Sequence, residues 1–300
     1  MDELAEKPSL KATAAYWDAN AEMHFAEGVN HNRAEGAGAP PGPGQARAAR
    51  LLGQPSVGDW LRARMPAVAG RALGVGVGAA GFELELLASG CVEEFDLYDV
   101  SAVSLEPAAV QARALGVEEQ AHLFCEDVMA AELPVAYDLV TFRGSLHHAT
   151  DLDLMVDRVR RAMLPGALLF GDEYVGPNRF AYPPEHSVLA KTWFRTLAPE
   201  LLCPWPELPQ PDPSEVAKAD PTEAVHSERI LDVLAARFEY LEITPLYGAL
   251  PFILWWGLQH DALYDLPAGR DLVEVLLEVD EALGRSGRLP TYFAAFVAQR

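Results

Sequence analysis

Residues 71–81 read RALGVGVGAAG, an apolar run that enters a glycine cluster and leaves into the helix-forming segment FELELLASG. That passage constrains the chain to a strand–loop–helix unit, in which backbone N–H groups at the helix start face a nucleotide-like ligand. Gly76 and Gly78 carry no Cβ, so the loop turns tightly and leaves room for the ligand. Asp99 closes the next apolar run, EEFDLYD, at the place where an acid commonly receives ribose hydroxyls. Together these residues predict an adenosine-bearing cofactor.

The rest of the chain extends this unit. Apolar runs near 71–75, 94–99, 121–125, 137–143 and 167–172 alternate with helix-like stretches such as 106–115 and 152–163. Such alternation predicts an α/β fold with a largely parallel sheet covered by helices on both faces. Upstream, the pattern predicts a helix over 9–27, a glycine- and proline-rich loop, and a helical region over 45–65. After Asp172 prolines crowd residues 176–221, which predicts a cap without long regular elements over the sheet's carboxyl edge. A helix over 225–237, the strand YLEITPLY, an amphipathic helix over 271–283 and the strand TYFAAFVAQ follow. Leu272, Leu276, Val279 and Leu283 share one face of that last helix. The organisation expected is a helical, substrate-side segment over 1–66 and an α/β domain over 67–300, with the cap inserted at about 176–225.

Composition narrows the partners. The 300 residues carry a formal net charge of −21, from 44 acids against 23 bases. A surface that acidic repels phosphate backbones and anionic lipid, which argues against nucleic acid and membrane and for a small-molecule substrate. The apolar stretch 249–258 is too short to cross a bilayer, and the opening MDELAEKPSL lacks an apolar signal core. Cys91, Cys125 and Cys203 are odd in number and widely spaced, so neither a zinc site nor a disulfide framework is implied. A cytoplasmic protein with reduced thiols is expected. No carboxylate pair stands at helix spacing beside a histidine, so no metal is expected either. An apolar patch around Leu250 to Trp256 would favour a homo-oligomer if exposed; otherwise Trp255 and Trp256 belong to the core.

By spacing, Gly76, Gly78 and Gly81 also fit a dinucleotide-binding loop. Three features favour S-adenosyl-L-methionine over a nicotinamide cofactor. The loop follows N-terminal helices, Asp127 in FCEDVM lies just beyond the third strand where an adenine contact falls, and the chain ends in two strands after an insertion. From about residue 71 to its C-terminus the chain resembles the class I S-adenosylmethionine-dependent methyltransferases. GVGVGAAG resembles their glycine loop, FDLYDVS their ribose-binding acid and CEDV their adenine-side acid. The block YDLVTFRGSLHHATDLDLMVDRVRRAMLPGALLFGDEY is similar to their fourth-to-fifth-strand region, and DEYVGPNRF to a bacterial small-molecule subgroup. The resemblance implies a Rossmann-like sheet whose last strand is antiparallel, with Gly76 and Gly78 on the methionine side. It further implies Asp99 and Val100 at the ribose, Asp127 and Val128 at the adenine, and Arg143 beside the cofactor or paired with an acid. Two positions depart from the family. Gly74 stands where an acid is usual, and Ala80 stands where a third glycine is usual.

Methyl transfer from a sulfonium needs alignment, water exclusion and, for some acceptors, a base. His147 and His148 follow the fourth strand, and an ordinary imidazole pKa of about 6.5 suits either as the base. His148 is the better placed for substrate, because the preceding turn approaches the cofactor in the family; capping or packing is the alternative for each. Glu173 either binds an amine or indole N–H, orients a histidine, or bonds to the Asn178–Arg179 turn. Tyr16, His24, Tyr174, Asn178, Tyr182 and His186, with Trp193, would wall a pocket for a flat or cationic acceptor, each with core packing as its alternative. The expectation is a methyltransferase acting on oxygen, nitrogen or carbon of a specialised metabolite, an indole ring among the options. The rivals are a nicotinamide-dependent oxidoreductase, a non-enzymatic scaffold, and a methyltransferase-like fold recruited for cyclisation that binds cofactor without consuming it.

Overall fold

The alternating segments assemble around the strand that opens the glycine loop. The computed structural model describes Tyr16 and residues 43–300. Tyr16 is helical and half-buried, whereas His24 and the rest of the helix expected over 9–27 lie outside the described residues. In chain order the elements are α1 (Pro43–Leu52), α2 (Val57–Arg62), β1 (Ala69–Val75), α3 (Gly81–Ala88), β2 (Val92–Asp99), α4 (Ala102–Leu115) and β3 (Ala121–Cys125). Next come β4 (Tyr137–Arg143), α5 (Leu152–Ala162), β5 (Met163–Tyr174), α6 (Pro184–Phe194), α7 (Pro213–Ala219) and α8 (Ile230–Arg237). The chain finishes with β6 (Tyr240–Tyr247), α9 (Ala249–Trp255), α10 (His260–Asp265), α11 (Pro267–Arg285) and β7 (Phe293–Gln299).

One seven-stranded sheet runs β3-β2-β1-β4-β5-β7-β6. Strands β1 to β5 pair in parallel, and β7 pairs antiparallel to both β5 and β6. This is the class I methyltransferase sheet, mostly parallel with its last strand antiparallel. Residues of β1 and β4 are apolar on successive positions because both sheet faces are covered. One face packs Trp60, Phe82, Leu84, Phe95 and Phe170 beneath α2 and α3; the other packs Val140, Phe142, Val156, Val159 and Leu234 against α5 and α8. Strand β6 carries an alternating, half-exposed pattern and tolerates Pro245 with a local register shift, as befits the sheet's edge.

Several expected boundaries shift for identifiable reasons. The helical region over 45–65 is two helices: Gly53 turns at φ +66, and Ser56 caps α2 by accepting the Asp59 N–H. The proline-rich cap is more regular than expected. Pro184 and Pro213 sit in the first turns of α6 and α7, where proline has no N–H to waste and starts a helix instead of breaking it. Cap and C-terminal helices share a third core of Phe180, Phe194, Leu250, Ile253, Leu254 and Tyr292. Leu250, Ile253 and Leu254 are thus buried within the chain, leaving only Trp256 of that stretch substantially exposed. The apolar patch that would have favoured an oligomer does not form.

Candidate active site

In an open sheet of this order the ligand crevice lies at the carboxyl ends of β1 and β4, where the strand order reverses. Gly76 leaves β1 at φ +64, and a Cβ there would stand 2.7 Å from Ser145 Cβ. Ser145 Oγ donates to the Val75 carbonyl at 2.6 Å, so the β1 and β4 loops are tied together at the glycine. Gly78 turns at φ +53 into open space, and its N–H donates to Asp99 Oδ2 at 2.8 Å. The other carboxylate oxygen accepts the Ser101 N–H at 2.8 Å. Asp99 thus fixes the loop and the start of α4 with both carboxylate oxygens.

The two departures from the family loop have structural explanations. Ala80 adopts φ 53 as the cap of α3, so the left-handed geometry is kept although alanine replaces glycine. At Gly74 a Cβ would stand 2.6 Å from Val77 Cγ1 and 3.4 Å from Glu83 Cγ. The space a side chain would take is filled by its neighbours. Glu83 itself is buried and accepts from Thr141 Oγ1 at 3.0 Å; burial pushes its pKa up.

The other cofactor-side candidates are placed as follows. Val100 is half-buried after β2. Asp127 Oδ1 accepts the Met129 N–H at 2.8 Å, and buried Val128 gives its carbonyl to Arg158 Nε at 2.7 Å. Arg143 Nε lies 3.7 Å from Asp172 Oδ2, with its guanidinium 5.1 Å from the Phe82 ring centre. Asp172 is pushed up by burial despite that partner.

Beyond the glycine loop the chain turns through Leu146–His148 in a single 3-10 turn, which sets the two imidazoles side by side, ring centres 4.2 Å apart. Glu173 is buried, and both of its carboxylate oxygens are engaged. Its Oε1 accepts the N–H groups of Ser145 and Leu146 at 2.8 and 2.7 Å, and its Oε2 bonds His147 Nδ1 at 2.7 Å. Of the three roles open to it in the sequence, orienting a histidine is the one the geometry displays. Burial disfavours the His147 imidazolium, but the Glu173 carboxylate outweighs it and the pKa is raised. For His148 burial prevails, the charge on His147 adds to it, and the pKa falls well below the ordinary value.

Three residues that no sequence spacing marked complete the cluster. Thr222 Oγ1 donates to Asp220 Oδ1 at 2.7 Å and meets His148 Nδ1 at 3.2 Å. Glu223 Oε1 lies 3.5 Å from His147 Nε2, and its Oε2 lies 4.0 Å from His148 Nε2. Burial raises the Glu223 pKa, and His147 partly offsets the shift. Their loop is held by the Arg179 guanidinium, which donates to the carbonyls of Asp220, Glu223 and Pro221 at 2.9, 2.8 and 2.6 Å. The expectation of no metal rested on helix spacing. Among the described residues, His147, His148 and Glu223 nevertheless form a group whose ligand atoms lie within 4.8 Å of one another.

The described residues expected to wall a substrate pocket are bonded to one another and to their neighbours. Tyr174 is buried, donates to the Pro177 carbonyl at 3.0 Å, and meets His147 edge-on at 6.2 Å. Tyr182 accepts from Trp256 Nε1 at 3.1 Å and stacks on Tyr292 at 5.8 Å; His186 Nδ1 bonds the Tyr292 hydroxyl at 2.9 Å. Asn178 Oδ1 accepts the Glu228 N–H at 3.2 Å, a loop-fixing bond. Trp193 packs partly buried against the third core.

Comparison with known proteins bears on the fold and on the stretch that carries the glycine loop. Residues 72–169 match the family described as methyltransferase domain, about a third of the chain and the stretch from β1 into β5. No curated protein matches. Among solved structures, geranyl diphosphate C-methyltransferase from Streptomyces coelicolor A3(2), in complex with Mg2+, geranyl-S-thiolodiphosphate and S-adenosyl-L-homocysteine, shares 15% identity at a TM-score of 0.57, covering 98% of this chain and 99% of that one. The 4+2 cyclase SpnF shares 16% at 0.55, covering 98% and 96%. Haemonchus contortus phosphoethanolamine N-methyltransferase 2, bound to phosphomonomethylethanolamine and S-adenosylhomocysteine, shares 14% at 0.54, covering 98% of this chain and 60% of that one. At these identities the structures speak for the fold. Residues 72–169 thus match a methyltransferase domain, and the chain has the fold of the class I methyltransferases, whose methyl donor is S-adenosylmethionine.

Proposed function

We propose that the protein transfers the methyl group of S-adenosyl-L-methionine to a small, weakly acidic acceptor that docks against His147 and His148. The observation that carries this reading is the junction of two sites. The Gly76–Gly78 loop with Asp99 fits an adenosylated cofactor, and the Ser145 bond to Val75 joins it directly to the histidine turn. The cofactor's methionine end would lie along Gly76 and Gly78, its ribose at Asp99 and Val100, and its adenine toward Asp127 and Val128, with Arg143 at the rim. Transfer breaks the S–CH3 bond with its electron pair left on sulfur, while the acceptor's pair forms the new bond and its proton leaves. His147, held by Glu173, and His148 are the groups beside that proton.

Tyr16, Tyr174, Tyr182 and His186 on the acceptor side favour a flat or aromatic molecule, with Asn178 supporting the cap loop. A phenol, an enol, an amine and an indole carbon all suit this chemistry. The unit over 67–300, capped near 176–225 and preceded by a substrate-side segment over 1–66, would work in the cytoplasm, in keeping with the acidic chain and its three free cysteines. Because the fold is shared with a protein named as a cyclase, cofactor binding alone does not establish transfer. The test is incubation with methyl-labelled S-adenosylmethionine and a panel of phenolic, enolic, amine and indole acceptors. Label in a product, with S-adenosylhomocysteine released in equal amount, supports the reading; cofactor bound but unchanged by every class favours a non-transferring role.

A further inference from the structure

The two histidines are bonded from behind and face a carboxylate in front. His147 Nδ1 donates to Glu173, a carboxylate with no other role for that oxygen. Thr222 donates its hydroxyl hydrogen bond to Asp220 Oδ1, which leaves its oxygen to accept from His148 Nδ1. Both rings therefore carry their fixed proton on Nδ1 and turn Nε2 toward Glu223, at 3.5 and 4.0 Å. Ligand atoms of His147, His148 and Glu223 lie within 4.8 Å of one another, close enough to share one cation. A proton serves one pair at a time, whereas a divalent ion serves all three.

We propose that His147 Nε2, His148 Nε2 and the Glu223 carboxylate form a binding site for a first-row divalent transition-metal ion, with open positions for an oxygen of the methyl acceptor. This rests on reading the cluster as the acceptor side of a methyltransferase, and it names the agent that activates the acceptor there. Two imidazoles with one carboxylate favour iron, cobalt or zinc over magnesium or calcium, which prefer oxygen. Ligands about 2.0–2.1 Å from a common ion stand roughly 3 to 3.4 Å apart. The 3.5 Å pair is close to that spacing, and the 4.0 Å pair lies somewhat beyond it.

The surroundings are those of a built site. Each ligating histidine has its other ring nitrogen held by a carboxylate or a hydroxyl, the arrangement that orients imidazole ligands and raises their basicity. Asp220 Oδ2 is buried without a hydrogen-bond partner, 3.5 Å from His148 Nδ1, and places further negative charge behind the second ligand. The loop that brings Glu223 is stapled by three Arg179 bonds and joined by the Arg179 N–H to the Ala224 carbonyl at 2.8 Å. At that junction Arg179, Phe180 and Ala224 all hold positive φ, at 53, 55 and 46, conformations that persist only where surrounding structure over-determines them. An acceptor phenol or enol oxygen on such an ion loses its proton to water more readily. Its electron pair, or that of the conjugated carbon, then takes the methyl. With the ion bound, His147 is a ligand and not a base.

The test uses full-length protein without a histidine tag, titrated with Co2+ and followed by visible absorption. The proposal expects saturation at one ion per chain with the intense bands of a low-coordinate site. Glu223→Gln and His148→Ala should each weaken binding more than tenfold, and Thr222→Val by about ten- to a hundredfold. Calorimetry with S-adenosylmethionine on the same samples reads the cofactor site separately, and Glu223→Gln should leave it unchanged. Absence of saturable Co2+ binding to a wild type that still binds cofactor would overturn the metal site alone. So would equal Co2+ affinity in wild type and both ligand variants, or full transfer by chelator-treated protein; in each case the methyltransferase reading stands.

Discussion

Asp99 joins the two sides of the crevice proposed for the cofactor, since its oxygens accept N–H groups from the β1 loop and from the start of α4. Hydrogen bonds to a charged group contribute about 1.5–3 kcal/mol each. Asp99→Ala should therefore weaken S-adenosylmethionine binding by roughly ten- to a hundredfold, read by calorimetry. Gly76→Ala sets a methyl 2.7 Å from Ser145 Cβ at φ +64. A left-handed alanine combined with overpacking should cost about 2–4 kcal/mol, measured by denaturant unfolding. His147→Ala should lower turnover by about a hundredfold or more and leave cofactor affinity intact, whether the ring is a ligand or a base. These residues were legible in the sequence because glycines in a loop, an acid at a strand end and paired histidines are local patterns. Glu223, Asp220 and Thr222 were not. They reach the site from a cap loop more than seventy residues beyond the histidines, where the Arg179 staple helps to hold them. Glu173 was legible as a candidate, but its direction depends on the β4 turn folding back over the end of β5.

At the scale of elements, α11 anchors α1 and the start of α9. Asp280 on α11 is buried, pairs with Arg47 on α1 at 3.0 Å, and accepts the N–H groups of Gly248 and Leu250 at the start of α9. Asp280→Ala strands a buried guanidinium and two backbone donors, and should destabilise the fold by about 3–5 kcal/mol, read by urea unfolding. Next to it, Glu281 pairs with Arg50 and Arg285, and the Arg50 bond first among these lowers its pKa from 4.5 to about 2. A depressed carboxylate pKa stabilises the folded state above its unfolded value and ceases to do so as pH falls through the folded one. Glu281→Gln should thus be less stable than wild type at neutral pH, with the difference shrinking between pH 4.5 and about 2; a constant difference would contradict the pairing. Periodicity located every strand of the sheet and the amphipathic face of α11. It missed α6 and α7, because proline counted as a breaker throughout the cap when its place in a first turn makes it a starter.

Over the whole molecule, sheet order decides where chemistry happens. Strands β1 and β4 are neighbours although β2 and β3 intervene in sequence, and this brings the glycine loop beside the histidine turn. Alternation of strands and helices foretold the parallel sheet; it did not foretell which strand ends meet the cap, since that depends on long-range packing of the third core. No helix among the described residues is long and apolar enough to cross a membrane. The acidic charge of −21 fits a small-molecule enzyme better than a binder of phosphate polymers. The most direct measurement is calorimetric binding of S-adenosylmethionine, S-adenosylhomocysteine and NADH to wild type and Asp99→Ala. The account predicts binding of both adenosylated sulfur ligands to wild type, a marked loss in Asp99→Ala, and no response to NADH. Binding of NADH alone, or of none of the three, would contradict it.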